Sequence, residues 1–112
     1  MNTITSHVLD TSLGEPVAGL GVSLALFEAG AFRELGQAVT DFDGRVSRWL
    51  GARALAIGVY RLSFETGTHY RTHGRDSFYE RVEIQFRVTD ASEHYHVPLL
   101  LSPFGYSTYR GS

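Results

Sequence analysis

Two histidines stand two residues apart in His94-Tyr95-His96-Val97-Pro98-Leu99-Leu100-Leu101, and a third sits in Thr5-Ser6-His7-Val8-Leu9. Histidine titrates near neutrality and can take a proton from water. The ten basic residues are all arginine, a group that stabilises an oxyanion without losing its charge. The chain has no lysine and no cysteine. That excludes Schiff-base chemistry, a P-loop lysine, a thiol nucleophile, disulfides and thiolate metal sites. Any chemistry here belongs to His, Arg, Asp, Glu, Ser, Thr or Tyr.

Two-residue alternation decides where these side chains point. In residues 94–101, Tyr95, Val97, Leu99 and Leu101 form a uniformly apolar, core-facing set. His94, His96, Pro98 and Leu100 share the other face. A proline there weakens ladder pairing, which predicts an edge or interface strand. Two histidines beside Pro98 and Leu100 suit neither a core nor an ordinary wet surface. They suit the wall of a binding site or a subunit contact. Residues 4–9 repeat the mixture, with Thr5, His7 and Leu9 on one face and Ile4, Ser6 and Val8 on the other.

The same alternation runs through Gly21–Glu28, Gly58–Thr66 and residues 81–90, with further candidates at Phe32–Thr40, Val46–Leu50 and near Tyr106–Tyr109. Gly and Asp punctuate the gaps, as in Leu13-Gly14-Glu15-Pro16 and Asp41-Phe42-Asp43-Gly44. One short helix is predicted over Thr68–His73, ended by Gly74 as a left-handed cap. The Ala- and Leu-containing run Leu50–Ile57 has the composition for a helical turn but is flanked by Gly51 and Gly58. Seven or eight short strands with one brief helix predict an all-β, two-sheet antiparallel sandwich.

Other constellations weigh less. His94 and His96, completed by His7, have the residue types of a three-His zinc site. His69 and His73 hold the i, i+4 spacing of a metalloprotease helix, but Tyr70-Arg71-Thr72 lacks its glutamate, so a solvated helix face is expected. Ser6, His7 and Asp10 invite a triad, yet sequence adjacency is not triad geometry. Arg48, Arg71, Arg75 and Arg81 read as surface charges, and Trp49 as core or interface packing.

The 112 residues, 43% apolar and 20% charged, are sized for one domain over residues 1–112. A formal charge of −2 with no basic block argues against nucleic acid as a partner. No apolar run approaches the ~20 residues that span a bilayer, so no membrane segment is expected. The first residues lack the basic and apolar regions of a secretion signal, which reads as cytoplasmic.

Thr5-Ser6-His7-Val8-Leu9-Asp10, Asp43-Gly44-Arg45, Gly74-Arg75-Asp76-Ser77-Phe78-Tyr79 and the run from His94 to Ser112 resemble the transthyretin-related 5-hydroxyisourate hydrolases over essentially the whole chain. The ending Tyr109-Arg110-Gly111-Ser112 is the most specific part, because the family's enzymes close on it and transthyretin proper does not. Glu80 departs from the family, where many relatives place proline. The resemblance implies an eight-stranded sandwich that assembles as a homotetramer around a channel. It implies active-site residues at His7, Arg45 and His96, joined by Tyr109, Arg110, Gly111 and Ser112, with no metal and no cofactor. It also implies the substrate, 5-hydroxyisourate, whose ring amide is opened by water. Within that frame His96 is the expected base, and His7 orients substrate or moves the proton to the leaving nitrogen. Ser107, Tyr109 and Gly111 share a parity, so a channel-lining last strand would project Tyr109 inward and make the cavity shallower. Arg110 and Ser112 would add polar contacts. The competing reading is a transthyretin-like carrier that uses the channel without chemistry.

Overall fold

The computed structural model describes residues 4–47, 49 and 55–112. The expectations for Arg48, for the far end of Val46–Leu50 and for most of Leu50–Ile57 lie outside them.

In chain order the elements are β1 (Ile4–Asp10), β2 (Glu15–Pro16), β3 (Gly21–Glu28), β4 (Ala31–Val39), β5 (Arg45–Val46), β6 (Gly58–Phe64), α1 (Thr66–Thr72), β7 (Val82–Val88), β8 (Tyr95–Ser102) and β9 (Gly105–Thr108). One sheet runs β2-β1-β8-β9, with β5 also paired to β1; the other runs β4-β3-β6-β7. The all-β sandwich with one short helix is therefore as the sequence predicts, with nine described strands. Beyond the eight candidates, β2 adds two residues whose stretch reads as a turn. Pairing is antiparallel except for β1 with β8, which run parallel in register from Ile4↔Tyr95 to Asp10↔Leu101.

Period-two burial holds the layers together. Ile4 and Val8 of β1 and Val97 and Leu99 of β8 face Leu24, Tyr60, Leu62, Phe64 and Val82 of the second sheet, all buried. Trp49 joins this core and donates its indole N–H to the Ile4 carbonyl at 2.7 Å, so it is packing, as expected. With one side of each strand committed to the core, Thr5, His7, His96 and Leu100 are left on the outer face of the β1–β8 pair.

Pro98 does not put β8 at an edge, since β8 lies between β1 and β9. The register that pairs Leu99 with Thr108 continues to a bridge between His96 and Gly111, which puts Pro98 opposite Tyr109, where the ladder is interrupted. The missing N–H falls in that gap, and the Pro98 carbonyl accepts the Thr108 hydroxyl at 2.6 Å instead.

Helix α1 is fastened to the end of β1 by a buried carboxylate. Asp10 accepts hydrogen bonds from the Tyr70 hydroxyl and Arg75 Nη1, both at 3.0 Å, and from the N–H and hydroxyl of Ser12. The expectation of an ordinary surface charge at Arg75 does not hold; its guanidinium pairs with a carboxylate only 3% exposed. Arg71 and Arg81 do sit at the surface, paired with Glu80 and Glu65. Burial pushes the Asp10 pKa up, but the bonds from Ser12, Tyr70 and Arg75 outweigh it and hold it below its ordinary 3.8. A lowered carboxylate pKa stabilises the fold above the unfolded value and loses that contribution as pH falls below it. Asp10→Ala should therefore cost about 3 kcal/mol in urea unfolding at pH 7, since it orphans Tyr70 and Arg75. That difference from wild type should shrink as pH is lowered below 3.8.

Candidate active site

Arg45 is delivered by a tight turn. Asp41 Oδ1 accepts the N–H groups of Asp43 and Arg45 at 2.9 and 3.0 Å, an Asx turn that closes the loop on itself. Gly44 adopts φ +79°, and a Cβ there would run into the Val8 carbonyl. The turn sets Arg45 directly opposite His7 in the β1–β5 pair. On the other side of β1, the parallel register sets His96 opposite Thr5 and Pro98 opposite His7. His7, Arg45 and His96 are distant in sequence and neighbours across three strands.

The His7 Nε2 lies 2.9 Å from the Asp43 carbonyl. A carbonyl only accepts, so this nitrogen carries a proton and is not available to take one. His96 is different. Its Nδ1 lies 2.7 Å from Thr5 Oγ1, which leaves Nε2 for chemistry. Burial lowers the His96 pKa, with further lowering from the positive charge of Arg45 and from His94 and His7. A neutral imidazole at neutral pH is the base-competent form.

Beside these groups lies a cavity of about 280 Å³, lined by Thr5, Asp41, Arg45, Ser47, His94, His96 and Ser112 among others. The chain end borders it: Ser112 is in the lining, and Gly111 N–H donates to the His96 carbonyl at 2.8 Å. A Cβ on Gly111 would come within 2.5 Å of His96 Cδ2 and 3.3 Å of Pro98 Cγ, so only glycine lets the tail lie against the ring.

Of the residues read from sequence, Arg45, His96 and Ser112 line one cavity, Gly111 touches His96, and His7 adjoins Arg45 by register. Tyr109 and Arg110 lie outside that lining and border a separate groove beside Phe86 and Tyr95. Arg110 packs over the Tyr95 ring at 4.5 Å and reaches Glu93 at 3.5 Å, which anchors the tail. His69 on α1 and His73 at its C-cap have ring centroids 4.4 Å apart, away from this lining. The triad of Ser6, His7 and Asp10 does not form, because the Ser6 hydroxyl donates to the Val97 carbonyl and Asp10 serves Tyr70 and Arg75. Asp41, Ser47 and the two hydrogen bonds of the Thr5 hydroxyl, to His94 and His96, escape the sequence reading. Only parity marked Thr5, which shares the face of His7.

The family model described as HIUase/Transthyretin matches residues 4–111. The Rhizobium meliloti protein named 5-hydroxyisourate hydrolase 2 is 46% identical over 114 residues, covering 97% of this chain and 95% of its own. The solved Klebsiella pneumoniae 5-hydroxyisourate hydrolase superposes with a TM-score of 0.88 at 39% identity over the full length of both chains. Sea bream transthyretin, solved with thyroxine, gives a TM-score of 0.90 at 28% identity, covering 96% of this chain and 93% of its own. Backbone likeness alone does not separate enzyme from carrier; sequence identity favours the hydrolases. On the family match and these identities together, the chain belongs to the HIUase/Transthyretin family.

Proposed function

We propose that this chain hydrolyses the cyclic amide of 5-hydroxyisourate in urate breakdown, opening the six-membered ring to 2-oxo-4-hydroxy-4-carboxy-5-ureidoimidazoline. The observation that carries the reading is the convergence of Arg45, His96 and Ser112 on one cavity, with His7 paired to Arg45. The hydrolase named in relatives up to 46% identical supports it.

His96 Nε2 takes a proton from water as the water oxygen bonds to the ring carbonyl carbon. The Arg45 guanidinium stabilises the charge that develops on the carbonyl oxygen. The carbon–nitrogen bond then breaks and the leaving nitrogen takes up the proton to become the terminal –NH2 of the ureido group, while the new carboxyl group loses its own proton to solvent as a carboxylate. His7, its Nε2–H fixed on Asp43, orients substrate beside Arg45. Ser112 borders the cavity with Gly111 bonded to the His96 carbonyl, Arg110 pins the tail, and Tyr109 walls the channel that the assembly forms. The functional unit is a homotetramer, since the outer face of β1 and β8 is open in one protomer. No metal takes part, and neither nucleic acid nor a membrane is a partner; among the described residues no helix is long and apolar enough to cross one.

Freshly generated 5-hydroxyisourate should decay faster, by absorbance, with the protein than without it. The rate should survive exhaustive chelation. No acceleration refutes the activity, and a loss restored by zinc refutes the metal-free route. Sedimentation at micromolar concentration should give a tetramer, and a fully active monomer would contradict the shared channel.

A further inference from the structure

The Thr5 hydroxyl is held between two imidazoles, with Oγ1 2.7 Å from His96 Nδ1 and 3.0 Å from His94 Nε2. The two rings lie nearly parallel, 16° apart, at a centroid distance of 6.4 Å. A hydroxyl has a single proton to donate, so it cannot serve both rings as donor. At least one imidazole must therefore donate to it, and the hydroxyl's own proton can go to only one of them. If His96 is to take a proton from water at Nε2, that nitrogen must be bare and the ring proton must sit on Nδ1. His96 Nδ1–H then donates to Thr5 Oγ1, which leaves the Thr5 proton to be donated to a bare His94 Nε2. Both bonds point the same way, from His96 to His94, the more exposed of the two rings.

We propose that Thr5 is a positioning residue for the hydrolysis: it holds His96 in the Nδ1–H tautomer and relays the proton that His96 acquires to His94. The proposal rests on the reading of His96 as base. As water gives its proton to His96 Nε2, the Nδ1 proton moves to Thr5 Oγ1 and the Thr5 proton moves to His94 Nε2. His96 is then neutral with Nε2–H, and His94 carries the positive charge. When the carbon–nitrogen bond breaks, Nε2–H passes to the leaving nitrogen. The relay runs back from His94 through Thr5 to His96 Nδ1, restoring the starting state. The net result is one proton moved from water to nitrogen.

The surroundings favour moving the charge. Burial, Arg45 and His7 all disfavour a cationic His96, whereas His94 stands at the exposed end of the chain of bonds. The parallel register that puts Thr5 opposite His96 fixes the spacing, and the two-residue step from His96 to His94 brings the second ring to the same hydroxyl.

Thr5→Val keeps the shape and β-propensity and removes the hydroxyl, while Thr5→Ser restores it. In ¹⁵N-labelled wild type at neutral pH, His96 should carry its proton on Nδ1. Thr5→Val should lose that preference and lower kcat by ~10- to 100-fold with KM nearly unchanged, and Thr5→Ser should recover most of both. His94→Gln should lose turnover that millimolar imidazole restores. Wild-type kcat in Thr5→Val, or a wild-type His96 protonated on Nε2, overturns the positioning role even if His96→Asn is inactive. A His94→Gln protein that needs no imidazole overturns the relay. Failure of the base assignment shows up separately, as turnover in His96→Asn.

Discussion

His96→Asn should lower kcat by at least ~10²-fold while leaving the fold intact. Asparagine can still donate to Thr5 but cannot take a proton from water at neutral pH. The side chain stands on the outer face of β8, opposite to the buried Tyr95, Val97 and Leu99, so the core is untouched. The pH profile adds a second reading of the same group. The His96 pKa is lowered from 6.5 by burial and by Arg45, so the neutral base persists to more acidic pH than an ordinary histidine. In wild type, kcat/KM should hold through pH 6.5 and fall only on the acid side of it, and that limb should vanish in the residual activity of His96→Asn. Single changes at Arg45 and His7 should also cost turnover, and the losses should not add, because all three act on one reaction centre.

The chain end should be nearly as sensitive. Deleting residues 109–112 removes the hydrogen bond from Gly111 to the His96 carbonyl, the backbone that backs the His96 ring, and the Ser112 wall of the cavity. None of the four residues belongs to the buried core. Stability should fall by about 1 kcal/mol or less, while turnover falls by ~10²-fold, because small displacements of a reacting group are costly. Gly111→Ala isolates one part of this effect. Its Cβ would sit 2.5 Å from His96 Cδ2, so the ring or the tail must shift. That single methyl should depress kcat far more than the melting temperature. The truncated channel should also admit a bulky two-ring phenol that the intact protein excludes, measurable by direct binding.

Alternation made much of this legible. Whenever a strand has one buried face, period two fixes both faces, and the outward positions of Thr5, His7, His96 and Leu100 follow from the apolar sets beside them. The helix was equally readable: Gly74 takes φ +68° just after the C-cap His73, and the helix begins at Thr66, two residues before the expected Thr68. What failed was long-range. Nothing in residues 94–101 says that they pair parallel with residues 4–10, and Pro98 left an edge or an interface strand open because only the register shows where β9 breaks from the ladder. Two-residue strands such as β2 carry no periodicity at all. Arg75 looked solvated because its partner Asp10 lies 65 positions away at the end of β1. The resemblance supplied His7, Arg45 and His96 as a set, and the turn and register supply the reason they meet. Neither parity nor resemblance pointed to the Thr5 hydroxyl as a link between rings.

The central claim is that hydrolysis takes place where β1, β5 and β8 bring His7, Arg45 and His96 together. The most direct measurement is a titration of the ¹⁵N-labelled histidine rings with a planar, non-hydrolysable purine that competes with substrate. The account predicts that His96 and His7 shift with the same midpoint as the competitive inhibition constant, while His69 on α1 and His73 at its C-cap stay still. Competitive inhibition that moves only His69 and His73, and leaves His96 and His7 unchanged, would contradict it.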